Sequence, residues 1–334
     1  MRRRTFRIIS FIPASTIPTR WTRVFFDELE LPGADYNLDV GSGSQAEQTG
    51  KILLGVERVL EKEPPGVVLV QGDTNTVLAG ALAAAKLHIP VGHVEAGLRS
   101  FDRSMPEEIN RVVTDHISNY LFAPTTAARE FLLREGVPDE TIHVTGNTIV
   151  DAVFQNIEIA KRREDVLSRL CLTRGNYFLV TAHRAENVDV PSRLEGIIYG
   201  LQAIGKEFDL PVIFPIHPRT QKMLSIFGIS TDGIQIIPPV GFFEFLQLEA
   251  NARLVLTDSG GVQEETCILG VPCVTLRENT ERPETLEVGS NVLAGTDSGR
   301  IGMAVGKMLR SRGGSANPFG DGKAGKRIVE ICMN

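Results

Sequence analysis

Apolar residues fall into short β-branched runs that alternate with longer stretches of helical spacing, and this rhythm persists along most of the chain. The first clear case is Val67-Val68-Leu69-Val70, set between Pro65-Gly66 and Gly72-Asp73 and followed by an alanine-rich helix predicted over residues 77–87. Strand and helix then alternate as strand 91–94, helix 107–117, strand 120–123, helix 126–134 and strand 143–145. A charged, loosely hydrophobic stretch, 160–174, interrupts the series. Beyond it the spacing predicts strand 177–181, helix 192–208, strands 212–215 and 234–237, helix 242–249, strand 253–257, helix 262–269 and strand 272–276. Strands this apolar are buried on both faces, so the pattern implies an α/β protein with two doubly wound, Rossmann-like parallel sheets covered by helices. Ligands of such sheets bind at the carboxyl ends of the strands.

Those ends are where polar residues gather. The run 252–256 opens into Thr257-Asp258-Ser259-Gly260-Gly261-Val262-Gln263-Glu264-Glu265. A buried strand that ends in hydroxyl and glycine residues and then starts a helix aims several backbone N–H groups at one spot, backed by the positive end of the helix. This is an anion cradle, although a strand-to-helix turn without a ligand uses the same residues. Glu265, about one turn further on, is placed to accept hydrogen bonds from a ribose diol. Strand 177–181 ends in Ala182-His183-Arg184, strand 212–215 leads to His217-Pro218-Arg219, and Arg282 follows a later strand, so cations suited to phosphate share this region. Phe245, on the helix before the cradle strand, is a candidate to stack on a base, with core packing as the alternative.

The first region presents acids instead. Strand 67–70 runs into Gln71-Gly72-Asp73-Thr74, strand 91–94 into Glu95-Ala96-Gly97-Leu98-Arg99, and the next helix opens with Met105-Pro106-Glu107-Glu108-Ile109-Asn110-Arg111. Asp73, Glu95 and Glu107 are therefore expected on one rim. Helix-start chemistry explains Glu107 or Glu108 as well as catalysis does, but it does not explain Asp73 and Glu95 together. Clustered carboxylates raise one another's pKa, which suits a general acid and base working on a carbon-bound or hydroxyl proton.

Composition narrows the partners. A net charge of -6 argues against nucleic acid or an anionic membrane. The four cysteines, Cys171, Cys267, Cys273 and Cys332, show no C-x-x-C spacing and read as buried thiols of a reducing compartment, so a cytoplasmic protein is expected. No stretch approaches the ~18 apolar residues of a membrane span, and no D-x-D, H-E-x-x-H or cysteine cluster marks a metal site. Gly41-Ser42-Gly43-Ser44-Gln45-Ala46 matches a dinucleotide fingerprint only loosely and reads as a solvent loop.

Taken in order, Gln71-Gly72-Asp73-Thr74, His93 to Arg99, Pro106 to Arg111, His183-Arg184-Ala185-Glu186-Asn187, Thr257 to Glu265, Thr280 to Glu284 and the closing Asn317-Pro318-Phe319-Gly320-Asp321-Gly322 resemble the motif set of the non-hydrolysing UDP-N-acetylglucosamine 2-epimerases. The match runs from about Val24 to the end. The resemblance implies a GT-B-like fold, two Rossmann-like domains facing across a cleft: an N-terminal domain over 1–162 with the acidic catalytic residues, a UDP-binding domain over 163–315, and a terminal helix, 316–334, returning to the first domain. It also implies interconversion of UDP-N-acetylglucosamine and UDP-N-acetylmannosamine by C2 proton removal with UDP elimination and re-addition, no cofactor or metal, and a homodimer. Under it Asp73, Glu95 and Glu107 take the acid, base and sugar-positioning roles, and His183 sits near the diphosphate. Val240 offers its backbone and Phe245 its ring to uracil, Ser259, Gly260 and Gly261 hold phosphate, Glu265 holds ribose and Arg282 adds charge. His217 and Arg184 belong to a second-site or phosphate set. Which carboxylate takes the proton is left open by spacing.

The opening departs from the family. Members begin with a strand leading to Gly-Thr-Arg-Pro-Glu, a helix carrying a lysine and a second strand leading to Gln-His, and residues 1–23 hold none of these. The first domain is thus expected to lack its opening β-α-β unit. Read from the third base of each codon, residues 11–22 can encode His-Thr-Gly-Gln-His-His-Ser-Tyr-Lys-Met-Asp, which points to a reading-frame error restored near Arg23. The competing readings are a hydrolysing epimerase, a GT-B-like UDP-sugar glycosyltransferase and an inactive UDP-sugar-binding homologue.

Overall fold

The computed structural model describes residues 11–12, 26, 28–311 and 317–333. The aberrant opening, residues 1–23, lies outside the described residues apart from the backbone of Phe11–Ile12. The chain divides into two compact units, residues 1–148 with 323–334, and residues 149–322.

In the first unit β1 (Phe11–Ile12) pairs in parallel with β2 (Tyr36–Asn37). A separate parallel sheet holds β3 (Val68–Gln71), β4 (Val91–Val94), β5 (Tyr120–Ala123) and β6 (Ile142–Val144), neighbours in that order. Helices Gln45–Lys62 and Asn75–Lys86 pack together because one carries Ile52, Val56 and Leu60 on a single face and the other offers Val77, Ala81 and Ala84, small enough to let the axes approach. The Gly41–Ala46 stretch is not a loop throughout. Ser44 caps helix Gln45–Lys62, its side chain accepting the Glu47 N–H at 3.2 Å, and Gln45 and Ala46 form the first turn. Helix Ala324–Cys332 belongs to this unit, with Ile328 buried against Val94 and Phe122 and Arg327 donating to the Thr145 carbonyl at 3.1 Å. Among the described residues β3 is the edge of its sheet, and Leu69 on it is 45% exposed.

The second unit is built on β7 (Phe178–Thr181), β8 (Val212–Pro215), β9 (Gln235–Ile237), β10 (Leu254–Thr257), β11 (Cys273–Thr275) and β12 (Asn291–Leu293). They lie all parallel in the order β12-β11-β10-β7-β8-β9. The winding reverses between β7 and β10, and that reversal is where a doubly wound sheet opens a crevice for ligands. Alternation along the strands fills both faces: Phe178, Val180, Leu254 and Leu256 join one core, Tyr177, Leu179 and Val255 the other. The first core is closed by helices Pro191–Phe208 and Ser298–Arg310, which pack at Gly200, where an added Cβ would stand 2.8 Å from Ile301. Helix Thr148–Ala160 also packs here. It buries Val150 and Val153 with Cys267, Ile268 and Phe319, so this compact unit begins at residue 149.

Candidate active site

In the first unit Asp73 and Glu95 follow the ends of adjacent strands, since Gln71 of β3 pairs with Val94 of β4. Glu95 adopts a left-handed backbone, φ 70°, a conformation costly for a side-chain-bearing residue and frequent where function fixes a side chain. Two residues on, Gly97 at φ 80° is obligatory, because a Cβ would fall 2.4 Å from the Ala128 carbonyl oxygen. The Gln71 amide donates to the Glu95 carboxylate at 3.0 Å. Asp73 is paired with Arg111, and its carbonyl accepts from the Asn110 amide at 3.0 Å. Both partners come from the first turns of helix Pro106–Ile117, which is thereby docked at the strand ends.

The two glutamates of that helix, equivalent by sequence, are now distinct. Glu107 is exposed. Glu108 is buried and accepts from the Ser100 N–H and hydroxyl, each at 2.9 Å, from the Phe101 N–H at 3.0 Å and from Arg111 at 3.0 Å. Burial alone would raise its pKa, but the Ser100 and Phe101 donors and Arg111 together hold it below the ordinary carboxyl range. Beneath the strand ends His93 is fully buried, Nδ1 2.6 Å from Asp115 and Nε2 2.8 Å from the Gly72 carbonyl. Asp115 also receives the Gly97 N–H at 3.2 Å and Arg99 at 2.7 Å, so one buried carboxylate ties down the turns that carry Asp73 and Glu95. A concavity of about 440 Å³ is lined by Gln45, Thr49, Asn75, Ser104, Pro106 and Asn110 among others, but by neither Asp73 nor Glu95.

In the second unit several candidate residues gather at the winding reversal. Asp258, just past β10, has no exposure and accepts the N–H of His183 at 3.0 Å, the N–H of Arg184 at 2.9 Å and the Asn187 amide at 3.2 Å. The His183 ring adds a contact at 3.2 Å. Burial pushes the Asp258 carboxyl up, yet His183 and the Arg184 N–H outweigh it and the net shift is downward. The turn after β7 is thus locked to the turn after β10, and the His183 ring, two-fifths exposed, stands 5.8 Å from the His217 ring. His217 caps helix Pro218–Phe227, its Nδ1 accepting the Arg219 N–H at 3.2 Å, while Arg219 itself pairs with Asp189.

Ser259 precedes helix Gly260–Leu269, and its side chain makes no capping hydrogen bond. Neither Gly260 nor Gly261 has a positive φ, and an added Cβ on either would meet no atom closer than 3.6 Å. Among the described residues nothing stands close enough to exclude a side chain at either glycine, and a helix start is a place that accepts an anion. Arg282 pairs with Glu264 at 2.8 Å, and Arg184 lies 3.7 Å from Glu281, which Arg277 also holds. Val240 and Phe245 are half-buried against the Tyr177–Val255 core. Glu265 is partly exposed one turn into the helix, and burial, with the Glu264 charge, pushes its carboxyl up to about 7. Among the described residues no group of three or more His, Cys, Asp or Glu is placed to hold a metal ion, and no helix is long and apolar enough to cross a membrane.

Residues 2–333 match the family described as UDP-N-acetylglucosamine 2-epimerase. The chain belongs to this family. Within it, the UDP-N-acetylglucosamine 2-epimerase of Methanocaldococcus jannaschii is 58% identical over 316 residues, 92% of this chain and 86% of that protein. The crystal structure of the M. jannaschii UDP-GlcNAc 2-epimerase in complex with UDP-GlcNAc and UDP superposes with a TM-score of 0.80 at 58% identity, covering 93% of this chain and 87% of the other. A more distant member, the UDP-2,3-diacetamido-2,3-dideoxy-D-glucuronate 2-epimerase of Pseudomonas aeruginosa, is 41% identical over 317 residues, 92% of this chain and 86% of its own length. The epimerase fold accounts for the parallel α/β units. Spacing alone assigns no role to two residues that brace these turns. Arg111 and His93 lie within motifs that resemble the family's, yet by spacing Arg111 is only the residue three positions from Glu108 and His93 one more residue of an apolar strand.

Proposed function

We propose that this epimerase-family chain interconverts UDP-N-acetylglucosamine and UDP-N-acetylmannosamine without net hydrolysis. A carboxylate removes the proton from C2 as the C1–O bond to UDP breaks, and the electron pair forms the C1=C2 bond of 2-acetamidoglucal. Return of a proton to the opposite face of C2, with the UDP oxygen re-adding to C1, gives the epimer. The second unit serves the leaving diphosphate: N–H groups of Gly260 and Gly261 and the cations His183 and Arg282 receive charge as it develops. Val240 and Phe245 take the uracil and Glu265 the ribose, while His217 and Arg184 lie in reserve for phosphate. In the first unit Asp73, Glu95 and Glu107 handle the C2 proton and position the sugar.

The observation that carries this reading is the pair of glycines at the β7–β10 reversal, demanded neither by backbone nor by packing and set on a helix start braced by Asp258. Of the four thiols expected to be buried, Cys267 and Cys273 are, Cys332 is partly so and Cys171 is exposed; all four are free, which supports a cytoplasmic enzyme, and the family likeness supports a homodimer. Incubation with UDP-N-acetylglucosamine in heavy water tests the reaction. Proton NMR should show UDP-N-acetylmannosamine deuterated at C2. Product without deuterium, release of free N-acetylmannosamine with UDP, or UDP binding with no exchange each contradicts it. The P. aeruginosa relative favours a second reading in which the sugar is a diacetamido uronate, and faster exchange with that UDP-sugar in a parallel incubation would support it.

A further inference from the structure

Glu249 lies near the end of helix Phe242–Asn251 and is used by nothing described so far. Its side chain has no exposure, and among the described residues neither carboxyl oxygen accepts a hydrogen bond from any donor group. A buried carboxylate with no donor would cost several kcal/mol, roughly the penalty of an unpaired buried charge, so the group must find another arrangement. Its carboxyl instead meets that of another acid, Glu265 on helix Gly260–Leu269, which packs against helix Phe242–Asn251. Two carboxyls in contact form a hydrogen bond only if one of them carries the proton.

Burial decides which. Glu249 is wholly enclosed, whereas Glu265 is partly open to solvent. The charged form is more expensive at the enclosed site, so the proton belongs there. We infer that Glu249 is a protonated positioning residue that donates its hydrogen to Glu265 and so fixes that carboxylate to receive the ribose diol of a uridine nucleotide. This rests on the assignment of Glu265 to the ribose. The surroundings agree: among the described residues the titratable groups facing the pair are Glu264, engaged with Arg282 at 2.8 Å, and the thiol of Cys273. The Glu249 hydrogen bond favours the Glu265 anion and opposes the upward push of burial and of Glu264. With a diol bound, the two hydroxyls donate to the carboxylate oxygens while Glu249 keeps the carboxylate from rotating.

The test is calorimetric titration of the full chain with UDP and with 2′-deoxy-UDP from about pH 5.5 to about pH 8.5. The wild-type chain should prefer UDP at high pH and lose the preference as pH falls through about 7, when Glu265 takes up a proton. Glu249→Gln, which keeps an N–H donor, should retain both the preference and the midpoint. Glu249→Met should move the midpoint to higher pH and weaken UDP roughly tenfold at neutral pH, with 2′-deoxy-UDP affected much less. An unchanged preference and midpoint in Glu249→Met, or an equal loss in Glu249→Gln, overturns the inference. If wild type binds UDP with no ribose preference, or Glu265→Gln changes nothing, the ribose assignment itself fails. The proton is then read separately at about pH 8.5, where Glu265 is ionised: an infrared C=O band of a protonated carboxylic acid, missing from Glu249→Gln, is expected, and its absence from the wild-type chain rules out a protonated Glu249. Should Glu249→Met fail to fold, the Gln variant and the infrared band carry the decision.

Discussion

Carboxylates stand at the strand ends of both units, and the two units use them in opposite ways. Asp258 is enclosed and surrounded by donors, two backbone N–H groups, an amide and an imidazole. Among the described residues Asp73 and Glu95 each have one side-chain partner, Arg111 and Gln71, and neither is buried. A carboxylate whose lone pairs are filled by the protein shapes the backbone around it; one with acceptor capacity to spare can serve a substrate. Glu108 and Glu107 repeat the contrast within one helical turn. Charge type and position at a strand end therefore do not separate chemistry from architecture; the number of donors does.

Neutralising the open acids should break the comparison most clearly. Asp73→Asn, Glu95→Gln and Glu107→Gln are expected to lower kcat by roughly 10²–10⁴ with UDP affinity nearly unchanged. If calorimetry instead shows UDP binding lost in step with activity, those acids are structural. Asp258→Ala should cost about 3–5 kcal/mol in urea denaturation, because the second unit loses the anion to which two N–H groups and an amide point. Next comes Gly261→Ala, expected to weaken UDP about tenfold to a hundredfold, the worth of one charge-assisted hydrogen bond. The same change should leave stability within about 1 kcal/mol, since helix propensity favours alanine and nothing crowds the new methyl.

The smallest effect is in the pH profile of stability, and it sharpens the contrast through its sign. Glu108 has its pKa lowered on folding, so its contribution is present above the unfolded carboxyl value and is lost as pH falls through the folded one. Glu265 is raised to about 7, so its contribution is full below the unfolded value and is lost as pH rises through about 7. Thermal melts of Glu265→Gln should lose the decline near neutrality and keep the acid limb, whereas Glu108→Gln should flatten the acid limb.

Strands 91–94, 120–123 and 212–215 and helix Thr126–Arg134 fall where the hydrophobic pattern predicts them, because each is a run bounded by turn residues. Several helices escaped the pattern, Ser298–Arg310 among them, and three show separate reasons. Gln45–Lys62 follows Gly-Ser-Gly, which reads as a solvent loop although Ser44 and Glu47 spell a helix start. Thr148–Ala160 is rich in Ile and Val, whose branching reads equally as strand, and Pro218–Phe227 has too few apolar residues to declare a period. In the site, Asp73, Glu95, His183 and the glycine pair were legible because they interrupt apolar runs at strand ends. Glu108 was not separable from Glu107, since its donors come from Ser100 and Phe101 through a turn no period reveals. Glu249 needed the fold itself, because only the packing of helix Phe242–Asn251 against helix Gly260–Leu269 brings two acids together.

The segment 149–322 is continuous, whereas the other unit takes its final helix from the far end of the chain. During synthesis the part made first is consequently finished last: Val94 and Phe122 wait for Ile328 until the whole of 149–322 has been made, while the later-made part already has all of its sequence. A nascent chain halted after Gly322 should release a protease-resistant second unit attached to a first one that is still open to cleavage.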